Sequence, residues 1–171
     1  NKAHSGFFWS SIFVGLAWVL YRLLSSEGWI LDDEATHYIF SKSVWVNDDQ
    51  FFNHWTRPGR NFIHCLIAPF GFTATRVFTM ILAFIAVWVT VLVGKILRLN
   101  GLWLLPLMLI FQSWFPELSY PVLTQTPFML CWILGIWLAL RSQYHMAALC
   151  FGYLSLIRHE GILLTAIWGV W

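Results

Sequence analysis

The sequence predicts an all-α fold: a polytopic membrane helix bundle whose long, extracytoplasmic first loop contains interfacial helices. Hydrophobic residues make up 59% of the 171 residues and charged residues only 11%, whereas a soluble domain carries about 25% charged residues. The apolar residues also fall into runs of helix length, and inside lipid only helices or closed barrels satisfy the backbone hydrogen bonds. We therefore expect about five or six membrane segments.

Composition also bounds the domain organisation and the partners. A net charge of +2 is small and scattered along the chain, so it does not indicate a nucleic-acid partner. The three cysteines are far apart and lack metal-ligand spacing, which is typical of buried thiols. The chain begins without Met and ends inside an apolar run, so we expect residues 1–171 to be one transmembrane domain, the N-terminal part of a larger protein.

The apolar runs predict the membrane segments in chain order. Residues 7–24 carry no charge before Arg22 and approach the roughly 20 residues that a spanning helix needs. A second span, a short third segment that Pro106 could kink, a fourth span and two further apolar segments follow over residues 73–94, 102–115, 127–140, 146–157 and 161–171.

The polar interval over residues 25–72 separates the first two spans and is too long for a hairpin turn. Residues 33–46 contain neither Gly nor Pro, and an acidic residue at their start suits a helix N-terminus. Aromatic residues in the same interval are typical of a membrane interface. We expect one or two interfacial helices between Asp32 and Trp55, and then a helix break at Pro58-Gly59.

Basic residues in the short loops predict the orientation. The positive-inside rule places three of them in the cytoplasm: Lys95, Arg98 and Arg141. Counting spans from there puts the 25–72 interval outside, together with the turn at 116–126 and the interruption at 158–160. We therefore expect Asp33 and Arg158 to face one common cavity, which Arg57 or Arg60 also approaches.

A cluster of carboxylates, Asp32, Asp33 and Glu34, directly follows the first span. Like charges in a row repel each other unless a cation, a metal or a reacting group needs them, and beside a membrane that cost indicates function. Adjacent acids at a helix start cannot all point one way. One would be a general base within reach of an acceptor hydroxyl. The alternative is a plain helix cap on a solvated loop.

Arginine residues would supply positive charge on the same face. Arg57 and Arg60 could clamp a phosphate or pair with the acids through planar, bidentate contacts, or they could anchor lipid headgroups. Arg158 and Glu160 interrupt an apolar stretch, where charged side chains need a partner or a cavity unless they form a plain loop between helices.

Two further polar residues have open assignments. His37 lies one helical turn after the acids, so it could serve a metal site or a proton relay, or simply be a polar interfacial residue. Glu117 could line the same outer cavity or cap a helix end.

These motifs, in this order, resemble the N-terminal half of a GT-C superfamily glycosyltransferase. Enzymes of that family use sugars carried on polyprenyl phosphate or pyrophosphate. Leu31-Asp32-Asp33-Glu34-Ala35-Thr36-His37-Tyr38 is similar to the acidic motif that opens the family's first extracytoplasmic loop, and Trp55-Thr56-Arg57-Pro58 looks like the downstream part of that loop. Arg158-His159-Glu160-Gly161 is similar to an Arg-Pro-Glu-Gly element before a later span, with His159 in place of Pro.

The resemblance implies an inverting sugar transfer from a polyprenyl-phosphate carrier to an acceptor at the extracytoplasmic face. Asp33 would be the base, with Asp32 as the second choice and Glu34 in support. The substrate-binding residues would be Arg57, Arg60, His37, Arg158, Glu160 and Glu117. A divalent cation, Mg²⁺ or Mn²⁺, could share in stabilising the leaving phosphate.

The same resemblance implies the partners and the location. The partners would be the lipid-linked sugar donor, membrane lipid and an acceptor. The membrane would be the cytoplasmic membrane in a bacterium or the endoplasmic reticulum membrane in a eukaryote.

Two other functions stay open at the level of sequence. A transporter or flippase for a lipid-linked or anionic substrate would also hold arginines and carboxylates in a membrane cavity. Its site usually lies near the bilayer midplane on broken helices, whereas these acids lie in a long loop at one surface, which favours an enzyme. A non-catalytic scaffold whose loop binds a protein partner is the other alternative.

Overall fold

A computed structural model describes residues 2–26, 32–52, 55 and 57–170, apart from the side chains of residues 2, 3, 32 and 48. Every regular element within this part of the chain is helical, so the all-α prediction is confirmed there. The α-helices are α1 Lys2–Ser25, α2 Asp32–Ser43, α3 Pro58–His64, α4 Phe72–Ile96, α5 Leu105–Ile110, α6 Trp114–Ser119, α7 Gln125–Leu140, α8 Tyr144–Ile157 and α9 Glu160–Val170, with short 3₁₀ turns at Asp48–Phe52 and Ala68–Phe70.

Among the described residues, two helices are long and apolar enough to cross a membrane, judged by length and composition alone. They cover His4–Ser25 and Phe72–Ile96, and they contain the first two predicted spans. The helices α7, α8 and α9 are apolar but shorter, with 16, 14 and 11 residues. The helical part of the interfacial prediction is also confirmed, because α2 and a 3₁₀ turn lie between Asp32 and Trp55.

Two predictions about where helices begin and end were wrong. Pro58 begins α3 instead of breaking a helix there, because a helix leaves its first N–H groups unpaired and proline has none to lose. Residues 102–115 form no single segment, since α5 and α6 are separate helices of six residues each. Pro106 lies in the first turn of α5 for the same reason.

Helix α4 is the centre of the packing. It contacts α1, α5, α6 and α7, and the chain then continues through α8 and α9, each packed on the helix before it. One apolar cluster joins α1 to α4 through Val19, Ala83 and Val87. A second cluster joins α7 to α8 through Leu138, Phe151 and their neighbours.

The two ends of α4 meet different kinds of residues. Arg76, near its start, contacts Glu34 of α2, whereas Lys95, near its end, lies over the Trp88 ring. At 1.5 Å per residue these two positions are roughly 29 Å apart along the helix. The N-terminal end of α1 reaches the Lys95 end, where His4 stacks on Trp103. The acidic helix α2 is therefore held at one end of the α1–α4 pair.

Candidate functional site

The acids at the start of α2 divide between the interior and the surface. Glu34 is fully buried, whereas Asp33, one residue earlier, is exposed. Successive residues of an α-helix point about 100° apart, so neighbouring carboxylates cannot serve one site. The side chain of Asp32 lies outside the described residues.

Glu34 forms a buried, bidentate ion pair with Arg76. Arg76 donates from Nε to Oε1 at 2.7 Å and from Nη2 to Oε2 at 2.6 Å. The backbone N–H of Val122 donates to Oε1 at 3.0 Å, and the Arg76 guanidinium lies 4.2 Å from the centre of the Phe72 ring. This single carboxylate thus ties α2 to α4 and to the segment before α7.

The arrangement gives Glu34 a structural role, and the catalytic support expected of it stays a prediction. Its two carboxylate oxygens accept bonds from Arg76 and Val122, and it is not among the residues that line the cavity described next. A buried arginine in an apolar helix needs a carboxylate partner, because an unpaired buried charge is strongly destabilising.

A cavity of about 280 Å³ lies beside the exposed face of α2. It is lined by polar and charged side chains from four separate parts of the chain: Asp33, His37, Trp55, Arg57, Thr124, Arg158, His159 and Glu160. Asp33 and Arg158 therefore face one common cavity with Arg57 close by, as the sequence predicted. Asp33 and His37 both reach it because residues four apart share one face of a helix.

Arg57 enters the cavity from a strained turn. Its backbone has φ 65° and ψ 118°, a conformation that costs a non-glycine residue on the order of 1–3 kcal/mol and that is concentrated at functional sites. The following helix is held against α8, where Tyr153 Oη donates to the Gly59 carbonyl at 2.6 Å. A Cβ on Gly59 would come within 2.9 Å of the Leu156 carbonyl carbon. This close approach brings the Arg57 turn next to the end of α8.

Arg158 and Glu160 reach the cavity from the turn between α8 and α9. Arg158 donates to the Glu160 carboxylate from Nε at 3.2 Å and from Nη2 at 3.0 Å. The turn packs closely on α8, since a Cβ added to Gly161 would lie only 2.2 Å from the backbone of Leu154. Arg158 thus has the local partner that its position in an apolar stretch requires.

The remaining predicted substrate-binding residues lie away from the cavity lining. Arg60 is fully buried against α2, where it donates to the His37 carbonyl at 2.9 Å and to the Asn61 side chain. Burial lowers the pKa of Arg60 to about 9. Glu117 pairs with Arg22 of α1 at 2.5 Å. Neither residue is placed to touch a ligand in this cavity.

Two buried histidines, His37 in α2 and His64 in α3, are held in the neutral form. Burial, followed by the charges of Arg60 and Arg57, lowers the pKa of His37 to about 3. Burial likewise lowers the pKa of His64 to about 3, and its ring bonds Thr79 Oγ1 at 3.0 Å and the Arg60 carbonyl at 3.2 Å. His37 Nδ1 is buried with no hydrogen-bond partner among the described residues.

The described residues contain no group of three or more His, Cys, Asp or Glu side chains arranged to hold a metal ion. The cavity offers Asp33, His37, His159 and Glu160 as potential ligands, but Glu160 already accepts from Arg158. The described residues therefore offer no ligand set for the divalent cation that the resemblance implies.

Sequence reasoning missed Arg76 and gave no binding role to His159. A lone arginine in an apolar helix needs a partner. This rule, which indicated a functional role for Arg158, holds equally for Arg76 near the start of α4. In the sequence, His159 stands only as the residue that replaces the proline of the Arg-Pro-Glu-Gly element, although it lines the cavity in the structure.

No protein-family model, curated protein or solved structure matches this chain. The function of the chain is therefore inferred from the residues that line the cavity.

Proposed function

We propose that this chain is part of a membrane glycosyltransferase that moves a sugar from a polyprenyl-phosphate carrier to an acceptor hydroxyl. The observation that carries the proposal is the cavity in which an exposed carboxylate, Asp33, lies among Arg57, Arg158 and His37. A base and a set of fixed cations are what a displacement at a sugar phosphate needs.

Each residue then has a role in the displacement. Asp33 takes the proton of the acceptor hydroxyl, whose oxygen forms a bond to the anomeric carbon. The bond from that carbon to the phosphate oxygen breaks, and the phosphate leaves with the electron pair. Arg57 and Arg158 stabilise the charge that develops on it, while neutral His37 exchanges a hydrogen bond with the sugar or the acceptor.

The proposal includes a multi-pass chain in which α1 and α4 cross the membrane and the shorter apolar helices α7, α8 and α9 lie within it. The cavity then opens at the extracytoplasmic face, with Lys95, Arg98 and Arg141 inside. A single cysteine at Ser43, introduced after the three native cysteines are replaced, tests this orientation. We expect an impermeant thiol reagent to label it from the outside, and labelling only from the cytoplasm would contradict the orientation.

The substitution Asp33→Asn tests the chemistry. Asn keeps the shape of Asp but cannot take a proton at neutral pH, so sugar transfer from a polyprenyl-phosphate sugar should fall by about 10²–10⁴-fold. Asp49→Asn is the matched control, because Asp49 is an exposed acid of the same interval that does not line the cavity.

Near wild-type turnover by the Asp33→Asn enzyme would remove Asp33 from the reaction. If Asp33 only supports the first turn of α2, the change should leave turnover nearly unchanged. Asp32→Asn would then be measured in the same assay.

A further inference from the structure

Glu160 binds the edge of the Arg158 guanidinium that a phosphate would also bind. Glu160 accepts from Nε and Nη2 of Arg158, which together form one edge of the planar guanidinium. Carboxylate and phosphate oxygens bind that edge with the same bidentate geometry. Both anions would therefore use the same N–H groups.

This pair differs in its surroundings from the other ion pairs of the described chain. Arg76–Glu34 is buried, and Arg22–Glu117 lies elsewhere in the structure. Of the three pairs formed by the described residues, only Arg158–Glu160 lines the cavity. It is thus the pair that an anionic ligand in the cavity would meet.

The backbone of the turn is held by hydrogen bonds and packing, whereas the Glu160 side chain is mostly exposed to solvent. The Arg158 N–H donates to the Leu154 carbonyl at 3.0 Å, and Gly161 packs directly on the α8 backbone. The side chain of Glu160 is 65% exposed, against 31% for Arg158. Because the Glu160 carboxylate faces solvent, water could replace its bonds to the guanidinium without a change in the backbone of the turn.

We propose that Glu160 competes with the phosphate of the lipid-linked donor for the guanidinium of Arg158, and so sets the affinity of the cavity for the donor. This inference rests on the proposed function, because it takes the polyprenyl phosphate as the ligand. Glu160 is then a determinant of affinity and has no part in the proton transfer.

The size of the effect follows from the charge that is removed. Two unit charges about 4 Å apart in water interact by roughly 1 kcal/mol, which corresponds to about a fivefold change in affinity. Glu160→Gln should therefore lower the Kd for the phosphate by roughly fivefold. Arg158→Gln should raise it by about tenfold, because it removes a charge-assisted contact.

The experiment is a binding titration of the whole chain in neutral-detergent micelles, with a polyprenyl monophosphate as the probe. It compares the wild type, Glu160→Gln, Arg158→Gln and the double variant. Competition for Arg158 predicts that Glu160→Gln tightens binding only while Arg158 is present. Circular dichroism and thermal unfolding of each variant verify that it is folded.

Glu117→Gln is the matched control. It makes the same substitution in another partly exposed arginine–glutamate pair, which does not line the cavity. We expect it to leave the affinity unchanged.

The outcomes separate the two proposals. If the wild type binds the probe and Glu160→Gln binds it no more tightly, the competition is refuted while the proposed function stands. The same holds if Glu160→Gln tightens binding equally in the Arg158→Gln background. If no variant binds the polyprenyl phosphate saturably, the proposed function fails and the competition fails with it.

Discussion

The Glu34–Arg76 pair and the Arg158–Glu160 pair share one chemistry, a carboxylate bound by Nε and Nη2 of an arginine, in opposite surroundings. In the first pair the side chains are 0% and 4% exposed, and the partners are 42 residues apart in the chain. In the second the partners are two residues apart, on the rim of a cavity, with Glu160 65% exposed.

The difference separates a structural ion pair from an exchangeable one. A buried pair cannot lose one partner without leaving an uncompensated charge in the interior, so Glu34 and Arg76 bind each other permanently and join α2 to α4. An exposed pair is held weakly, because water solvates both groups when it opens. Arg158 can therefore accept another anion, and the contrast can be measured.

The largest effect on stability is expected for Glu34→Gln. The substitution removes the carboxylate charge that faces the buried guanidinium of Arg76, so the free energy of unfolding should fall by about 3–5 kcal/mol. Chemical unfolding in detergent, followed by circular dichroism, measures it. Asp33→Asn is the adjacent control and should leave stability nearly unchanged, since Asp33 is exposed. Equal losses in the two variants would contradict the division of the acids.

Gly161→Ala should have the next largest effect, because its new methyl group would meet the Leu154 backbone. Overpacking of this kind typically costs about 1–3 kcal/mol, and it should also displace the turn that carries Arg158. Gly152→Ala in α8 is the control, since a Cβ there meets nothing within 4 Å. Thermal unfolding compares them, and equal melting temperatures would show that the turn can relax.

The buried histidines predict how stability depends on pH. The pKa of His64 is about 3 in the folded chain, below its ordinary value of 6.5, so only the unfolded chain gains a proton between those values. The stability that His64 contributes is complete above pH 6.5 and is lost as pH falls, by about 1.4 kcal/mol per pH unit. Unfolding measured from pH 7 to pH 4 should show a shallower slope for His64→Gln. An unchanged slope would mean that His64 is protonated in the folded chain.

The smallest effect on stability is expected for Glu160→Gln. An exposed ion pair contributes at most about 1 kcal/mol, so this variant should unfold almost like the wild type while its affinity for phosphate changes. A loss as large as that of Glu34→Gln would show that the two pairs are equivalent and that Glu160 is structural.

Local patterns in the sequence determined the helical character of the chain and the face on which its polar motifs meet. Runs of apolar residues predict α1 and α4 because a helix of that composition needs no partner to satisfy its backbone. The Asp33–His37 spacing places both residues on one face for the same local reason. The common cavity of Asp33 and Arg158 was predicted by counting apolar segments along the chain.

Only the tertiary structure decided which charged residues are structural. Glu34, Arg60 and Glu117 look as functional in the sequence as Asp33, Arg57 and Glu160 do. Their roles depend on partners such as Arg76 and Arg22, which lie 42 and 95 residues away. The free energy of a charged group depends on its burial and its partner, and neither is encoded in the residues next to it, because packing brings distant parts of the chain together.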